Sequence, residues 1–323
     1  MKIYKGIEAI ESPLKHPVLT IGNFDGVHIG HQDVIHRVVK QAQKSNGISV
    51  VMVFDPHPRT FFNPDNPQRQ ITTLEQRIDL IEKLDVDAVI VQPFDKAFAE
   101  LEAETFIREH LARQIGVKEL FVSSKFRFGH NAAGNIDMLR ALADELGYTV
   151  EPVENVHFRH TVVSSSFIRQ SILDGEMELA RWMLGRPYTI YGEVYPDTQR
   201  GTSLLNTPTS NIKPENELIP SLGIYAGTVK IDGTIYPAAT YIGTRPTFDG
   251  ADTVFETHLI GFDGTLYGQR IAVALLKKTR GDMKFDHLSD LLNRIRQDII
   301  DVRAYMEKHK DDPHLKGVTW PKQ

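Results

Sequence analysis

The stretch VLTIGNFDGVHIGHQDVIHRVV, residues 18–39, decides the fold of the first half of the chain. Its opening apolar run ends in a glycine and is typical of a buried strand. From His31 onward, apolar residues recur at the spacing of an amphipathic helix. Three glycines lie in the nine residues between these elements. The stretch therefore predicts a strand, a glycine-rich turn and a helix, which is the opening unit of an α/β sheet.

The same alternation continues along the first half of the chain. Apolar, β-branched runs predict strands at ISVVMVF, DAVIVQPF, KELFVSS and TVEPVENV, and helical periodicity predicts helices at TLEQRIDLIEKL, ETFIREHLARQI and NIDMLRALADELG. Strands that alternate with helices favour right-handed βαβ units. We therefore predict an α/β fold in this half, of the nucleotidylyltransferase type, with a parallel sheet and flanking helices.

The pattern changes beyond Thr189. Short strands separated by turns are predicted at YTIYGEVY, GIYAGTVKIDGTIYPAATYIG, TVFETHLIGF and QRIAVALLKK. The pair Asp232-Gly233 favours a tight hairpin turn. A long amphipathic helix, FDHLSDLLNRIRQDIIDVRAYMEKH, follows. We predict a small antiparallel β-barrel with a C-terminal helix, and two domains, residues 1–185 and 186–323.

Composition and charge exclude several classes of protein. The 323 residues contain no cysteine and carry a formal net charge of −5 at pH 7. Disulfides, thiolate zinc sites and cysteine nucleophiles are thereby excluded, and a broad nucleic-acid surface is disfavoured. No apolar run is long enough to span a membrane, and the N-terminus lacks the apolar segment of a signal peptide. We expect a cytoplasmic protein with no nucleic-acid, membrane or obligatory protein partner.

The turn between the first strand and helix predicts a phosphate site. Helix N-termini attract anions through unpaired N–H groups and partial positive charge. His28 and His31 are three residues apart, so both can face one side of a helical turn. Glycines allow close approach of the backbone to a ligand. Two alternatives remain open: idle structural histidines, or a zinc site with His57 as the third ligand.

The turn GNFDGVHIGH resembles the H-x-G-H motif of nucleotidylyltransferases and, more closely, that of bacterial FAD synthetases. Further segments of this family follow in the same order: VVMVFDPHP, FDKAFAELEAETFI, FRFGHNAAG and VSSSFIR. The resemblance implies adenylylation of FMN by ATP, with His28 and His31 as catalytic residues. It also implies that the nucleotide and flavin contact Gly22, Asn23, Phe24, Asp25, Gly26, Asp55, Phe128, Ser164, Ser165 and Arg169.

The second half resembles riboflavin kinase through PTSNI, YIGTRPTF, ETHLIGFDGTLYG and RIAVALLKKTRGDMKF. Thr209 and Asn211 are two oxygen ligands that face one way on an extended strand, and oxygen ligands suit Mg²⁺ bound with ATP. Glu256 alternates with apolar neighbours, so its carboxylate could lie at the barrel mouth and deprotonate an attacking hydroxyl. The resemblance implies the same roles for these residues, with riboflavin as the acceptor. Without it, Thr209 and Asn211 read as turn residues and Glu256 as a surface residue.

Three positions depart from these families. Lys125 stands where an aspartate is expected before FRFG, and Asn206 and Thr207 replace a glycine and a phenylalanine before TSN. They leave one alternative open, a non-catalytic or single-activity flavin or nucleotide binder. Class I tRNA synthetases also contain an HIGH tetrapeptide. This class is disfavoured, because VSSSFIR lacks the lysine of the second synthetase motif.

Overall fold

The structure, a computed structural model, describes residues 1–196, 209–247 and 250–312, with the backbone alone described at 209, 245–247 and 250–252. The chain divides into two compact units, residues 1–165 and 166–323. This division groups the two helices before the barrel with the second unit, whereas the sequence assigns them to the first domain. The domain boundary between residues 185 and 186 stays a prediction.

A six-stranded sheet forms the centre of the first unit. Its strands are β1 Lys2–Lys5, β2 Pro17–Ile21, β3 Ile48–Asp55, β4 Ala88–Pro93, β5 Glu119–Ser123 and β6 Thr149–Val153. They lie in the order β1-β4-β3-β2-β5-β6, and every neighbouring pair is parallel. The predicted parallel α/β sheet is confirmed. The sequence pattern had not indicated β1, whose only buried residue is Tyr4.

Helices cover both faces of this sheet. They are α1 Ile29–Lys44, α2 Pro58–Phe62, α3 Leu74–Glu82, α4 Lys96–Ala99, α5 Ala103–Thr105 and α6 Ile136–Leu146, with a π-helical stretch at Phe106–Ile115 and single 3₁₀ turns at Ile7–Ala9 and His130–Ala132. Strand β3 sends Val50 and Met52 into one apolar core, and Val51 and Val53 into another. Burial on both sides explains its unbroken apolar run. A short antiparallel pair, β7 His157–Phe158 and β8 Thr161–Val162, follows β6.

A closed antiparallel barrel forms the second unit. Helices α7 Ser165–Asp174 and α8 Met177–Leu184 precede it. Its strands are β9 Tyr188–Tyr195, β10 Thr209–Pro214, β11 Gly223–Ile231, β12 Thr234–Thr247, β13 Gly250–Leu259 and β14 Arg270–Gly281, in the cyclic order β10-β13-β12-β11-β14-β9. Helix α9, Leu288–Lys308, follows the last strand. The predicted barrel with a C-terminal helix is confirmed.

The hairpin between β11 and β12 turns at Asp232-Gly233, as predicted. Both residues have left-handed φ angles, 47° and 84°. Two positive φ angles in a two-residue loop match the right-handed twist of the flanking strands. This turn therefore fixes the register in which β12 pairs with β11.

Candidate active sites

The loop from β2 to α1 holds a strained backbone. Phe24 and Val27 have φ angles of 48° and 38°, and Gly26 between them has 83°. Left-handed conformations are uncommon for residues other than glycine, and they are rarest for β-branched residues such as valine. Such strain persists only where surrounding contacts enforce it, and it concentrates at ligand sites. The backbone therefore marks the same loop that the sequence predicts as the phosphate site.

His28 and His31 lie against each other at the start of α1. His28 is the N-cap residue, and its Nδ1 accepts a hydrogen bond from the His31 amide at 3.2 Å. The two rings stack with centroids 3.5 Å apart. Because Nδ1 of His28 accepts, a neutral His28 ring carries its hydrogen on Nε2. The cap thus favours the neutral tautomer that carries its hydrogen on Nε2.

The glycines of this loop make room for the protein's own side chains. A Cβ at Gly22 would lie 3.2 Å from the Phe24 ring, and one at Gly30 would lie 3.2 Å from the His28 ring. Gly26 has a positive φ, and a Cβ added there would lie 3.1 Å from the side chain of Ile71. Close approach to a phosphate, the reason given by the sequence interpretation, stays a prediction.

Asp25 holds the loop in place from within. Its buried carboxylate accepts hydrogen bonds from the backbone amides of Ile71 at 2.9 Å and Thr72 at 3.2 Å. Its backbone carbonyl accepts a hydrogen bond from Oγ of Ser165 at 2.8 Å. The side chain therefore supports the loop rather than facing a ligand. The second contact joins Ser165 to the GNFDG loop, although Ser165 and Asp25 are 140 residues apart.

Beside this loop opens an aromatic cavity of about 700 Å³. Eight phenylalanines from well-separated segments line it: Phe54, Phe61, Phe62, Phe94, Phe98, Phe106, Phe126 and Phe128. Gly22 and Asn23 of the strained loop also line it. A cavity of this size and character suits a flat aromatic ligand. Of these aromatic residues, sequence reasoning named only Phe128.

Asn23 adds a polar group to this wall. Its Oδ1 is buried and has no hydrogen-bond partner among the residues that the structure describes. A buried amide oxygen without a partner in the protein is costly, so it favours a ligand that donates a hydrogen bond. Asn23 is therefore poised to bind at the point where cavity and loop meet.

For the other residues that the sequence analysis singled out in the first half, the structure gives a position but no ligand contact. Lys125 lines the aromatic cavity, just beyond the carboxyl end of β5. Asp55 ends β3 and is exposed. Ser164 lies just before α7, and Arg169 lies one turn into it. The ligand contacts predicted for Asp55, Ser164 and Arg169 stay predictions.

A zinc site has no support in the described structure. His57 caps α2, and its Nδ1 accepts a hydrogen bond from the Arg59 amide at 3.1 Å. Among residues 1–196, 209–247 and 250–312, no three histidine, aspartate or glutamate side chains are grouped as metal ligands.

On the barrel, Glu256 lies on the outer face. Phe255 and Thr257, its neighbours in β13, are fully buried. Ala239 shares the face of Glu256, because it pairs with His258 two residues further along β13, and it packs with Val302 of α9. Since α9 lies outside the closed barrel, so does the face that carries Glu256. The prediction that Glu256 points into the barrel mouth is therefore corrected.

Asn211 of β10 lies directly opposite Glu256. Directly paired residues share a face of the sheet, with Cβ atoms about 5 Å apart. Asn211 is 3% exposed, and its Oδ1 has no hydrogen-bond partner within the described part of the chain. A partnerless buried oxygen beside a carboxylate suits a hard cation such as Mg²⁺. The backbone of Thr209 continues the same strand, and its side chain, like Asn206 and Thr207, lies outside the described residues.

Comparison with known proteins assigns a family to each half of the chain. The family model for FAD synthetase matches residues 10–167, and the model for riboflavin kinase matches residues 184–306. Together they span most of the chain. The chain belongs to the bifunctional riboflavin kinase/FMN adenylyltransferase family.

Two relatives of this family match nearly end to end. The bifunctional riboflavin kinase/FMN adenylyltransferase of Haemophilus influenzae is 34% identical, over 94% of this chain and 99% of its own. That of Escherichia coli strain K12 is 33% identical, over 94% of this chain and 98% of its own. Both predicted resemblances are thereby confirmed.

A crystal structure shares the fold of the family member described here. It is that of a protein named macrolide-efflux protein, from Streptococcus pneumoniae, with a TM-score of 0.83 and 27% identity over 93% of this chain and 98% of that one. In the part of the present chain that the structure describes, every helix is too short or too polar to cross a membrane.

Proposed function

We propose that the first unit adenylylates FMN with its flavin ring in the phenylalanine cavity and its phosphate at the strained loop. The observation that carries this proposal is continuity: Gly22 and Asn23 line the cavity and belong to the loop that leads into His28 and His31. A flat, largely apolar ring system with a phosphate tail fits this combination of surfaces.

In this reaction, an oxygen of the FMN phosphate attacks the α-phosphorus of ATP. The bond between the α-phosphorus and the bridging oxygen breaks, and pyrophosphate leaves. In this proposal, His28, His31 and Ser165 donate hydrogen bonds to the polyphosphate. Fixed donors of this kind stabilise the charge that develops on the leaving group. No covalent intermediate with the protein is required.

We further propose that the barrel phosphorylates riboflavin at the outer face carrying Asn211 and Glu256. Asn211 and Thr209 would hold Mg²⁺, which neutralises the ATP phosphates as charge develops. Glu256 takes the proton of the 5′-hydroxyl as its oxygen attacks the γ-phosphorus, and ADP leaves. The pairing of Asn211 and Glu256 supports this arrangement, because it places a cation ligand beside a base.

One incubation tests both activities. The full chain is given riboflavin, ATP and Mg²⁺, and the flavins are separated by chromatography. FAD is the expected product. FMN alone would mean an inactive first site, and no product would favour the non-catalytic binder. The predicted cytoplasmic location, and the predicted lack of nucleic-acid and obligatory protein partners, stay predictions.

Replacing Asn211 should weaken Mg²⁺ use in the kinase reaction alone. We expect Asn211→Ala to raise the Mg²⁺ concentration for half-maximal FMN formation by about tenfold, since loss of a ligand or its support commonly costs that much affinity. FMN-to-FAD conversion should keep its Mg²⁺ dependence. Asn216→Ala is the matched control, because this buried asparagine instead accepts from the Tyr191 amide at 2.9 Å. An equal shift in both variants would contradict the metal role.

Lys125 should bind the phosphate of FMN. Lys125 lines the cavity beside its phenylalanines, and its side chain forms no ion pair with any residue that the structure describes. We expect Lys125→Gln to raise KM for FMN about tenfold in FAD synthesis, since a charge-assisted hydrogen bond contributes about 1.5–3 kcal/mol. Lys118→Gln makes the same charge change just before the amino end of β5 and should leave KM unchanged. Unchanged KM in Lys125→Gln would exclude this contact.

A further inference from the structure

We propose that Tyr241 and Asp282 bind the secondary hydroxyls of the kinase acceptor's polyol chain and thereby select a flavin that carries them. This inference rests on the proposed function of Glu256, because it places the acceptor's terminal hydroxyl at that carboxylate. Neither residue was among the predicted site residues. They lie on the same outer face of the barrel as Glu256.

Three side chains lie in a row across this face. Tyr241 of β12 pairs directly with Glu256 of β13, which in turn pairs with Asn211 of β10. Glu256 is therefore flanked by Asn211 on one side and Tyr241 on the other. If Mg²⁺ and ATP occupy the side of Asn211, the acceptor must approach from the side of Tyr241.

The Tyr241 side chain extends past Gly243 of its own strand. Its ring lies across Gly243, where an added Cβ would be only 2.1 Å from the phenolic oxygen. The hydroxyl donates to Oδ1 of Asp282 at 3.1 Å. Asp282 is the first residue after β14 and is exposed. Glycine at position 243 is thus required by the path of the Tyr241 ring, which extends from Glu256 towards Asp282.

The side-chain oxygens of Tyr241 and Asp282 can both accept hydrogen bonds. Burial, with Asp282 and Glu256 nearby, raises the pKa of Tyr241 to about 12, so its hydroxyl stays protonated at neutral pH. The phenolic oxygen donates to Asp282 and can still accept. Oδ2 of Asp282 takes no hydrogen bond from any residue that the structure describes. Both oxygens are therefore acceptors for donors on a ligand.

The neighbouring Arg280 is already paired with a carboxylate of the protein. Arg280 donates to Asp298 of α9 through Nε at 2.8 Å and Nη2 at 2.6 Å. Asp298 is 3% exposed. Because Arg280 is held in this buried pair, the oxygens of Tyr241 and Asp282 are left as hydrogen-bond acceptors at the surface. Acceptor oxygens match the hydroxyl groups of a neutral polyol rather than a second phosphate. A ribityl chain with its terminal hydroxyl at Glu256 would offer secondary hydroxyls to Tyr241 and Asp282.

The test compares two acceptors in the full chain. Riboflavin is set against a flavin with a 5-hydroxypentyl side chain, which keeps the terminal hydroxyl and lacks the secondary ones. We expect Tyr241→Phe and Asp282→Ala each to lower kcat/KM for riboflavin about tenfold, because a lost hydrogen bond costs about 0.5–1.5 kcal/mol to a neutral group and about 1.5–3 kcal/mol to a charged one. The kcat/KM for the analogue, which lacks the secondary hydroxyls, should change less than about twofold. The preference for riboflavin should shrink accordingly.

Tyr236→Phe is the matched control, because it removes a hydroxyl from the same strand and keeps the ring that packs on Phe262 at 5.3 Å. It should leave the preference unchanged. Equal losses with both acceptors in Tyr241→Phe, or an unchanged preference in both variants, would overturn the proposal. If the wild-type chain forms no FMN from riboflavin, the proposed kinase function itself fails, which is a different result.

Discussion

Replacing Glu256 by glutamine should lower the rate of FMN formation by about 10²–10⁴-fold and leave FAD formation from added FMN unchanged. A positioned general base typically contributes this much. The amide has nearly the shape of the carboxylate and cannot accept the proton of the 5′-hydroxyl. Because Glu256 lies on the outer face and is partly exposed, the change should not disturb the barrel core. Both rates are measured by chromatography of the flavins.

Glu193→Gln provides the matched control for this variant. Glu193 is an exposed carboxylate on β9 of the same barrel, so the substitution makes the same change in net charge. Wild-type FMN formation is expected from it. If Glu256→Gln kept more than about a tenth of the wild-type rate, the carboxylate would not be the base.

Replacing His31 by alanine should lower FAD formation by about 10²–10³-fold, with FMN formation unchanged. Removing one fixed donor to a developing charge has this effect in other enzymes. The loss has two physical sources, because the His31 ring is itself a donor and also stacks on His28. The rate is measured with FMN and ATP as the only substrates.

His36→Ala is the control, because this exposed histidine lies in the same helix α1. A second variant, His31→Asn, keeps a donor and should recover part of the lost rate. If His31→Ala and Glu256→Gln each damaged both reactions equally, the assignment of one reaction to each unit would be wrong.

The sequence predicts most of the first unit because its strands are buried on both faces. Strand β3 alternates between two cores, so every residue from Val50 to Val53 is apolar. Strand β1 escapes prediction because only Tyr4 among its four residues is buried, which leaves no periodic signal. Periodicity also gives the face of Glu256 relative to Phe255, but not which face is inside. That choice depends on where α9 packs.

The aromatic cavity lies beyond the reach of sequence reasoning for a different reason. Its phenylalanines belong to segments spread between residues 54 and 128, and no spacing rule relates them. Each one, read alone, is an ordinary core residue. The same limit applies to Tyr241, whose importance arises only from its pairing with Glu256 and its bond to Asp282.

The hydrogen bonds of Asp25 bear on how the GNFDGVHIGH motif can be transplanted. Its carboxylate is bound by the amides of Ile71 and Thr72, and its carbonyl by Ser165. A graft of the ten residues into another scaffold would carry the histidines but leave a buried charge without its donors. The left-handed angles of Phe24 and Val27 would lose their support as well. The ten-residue motif would therefore not keep its structure when transferred alone, and a minimal transplant must include the segments around residues 71 and 165.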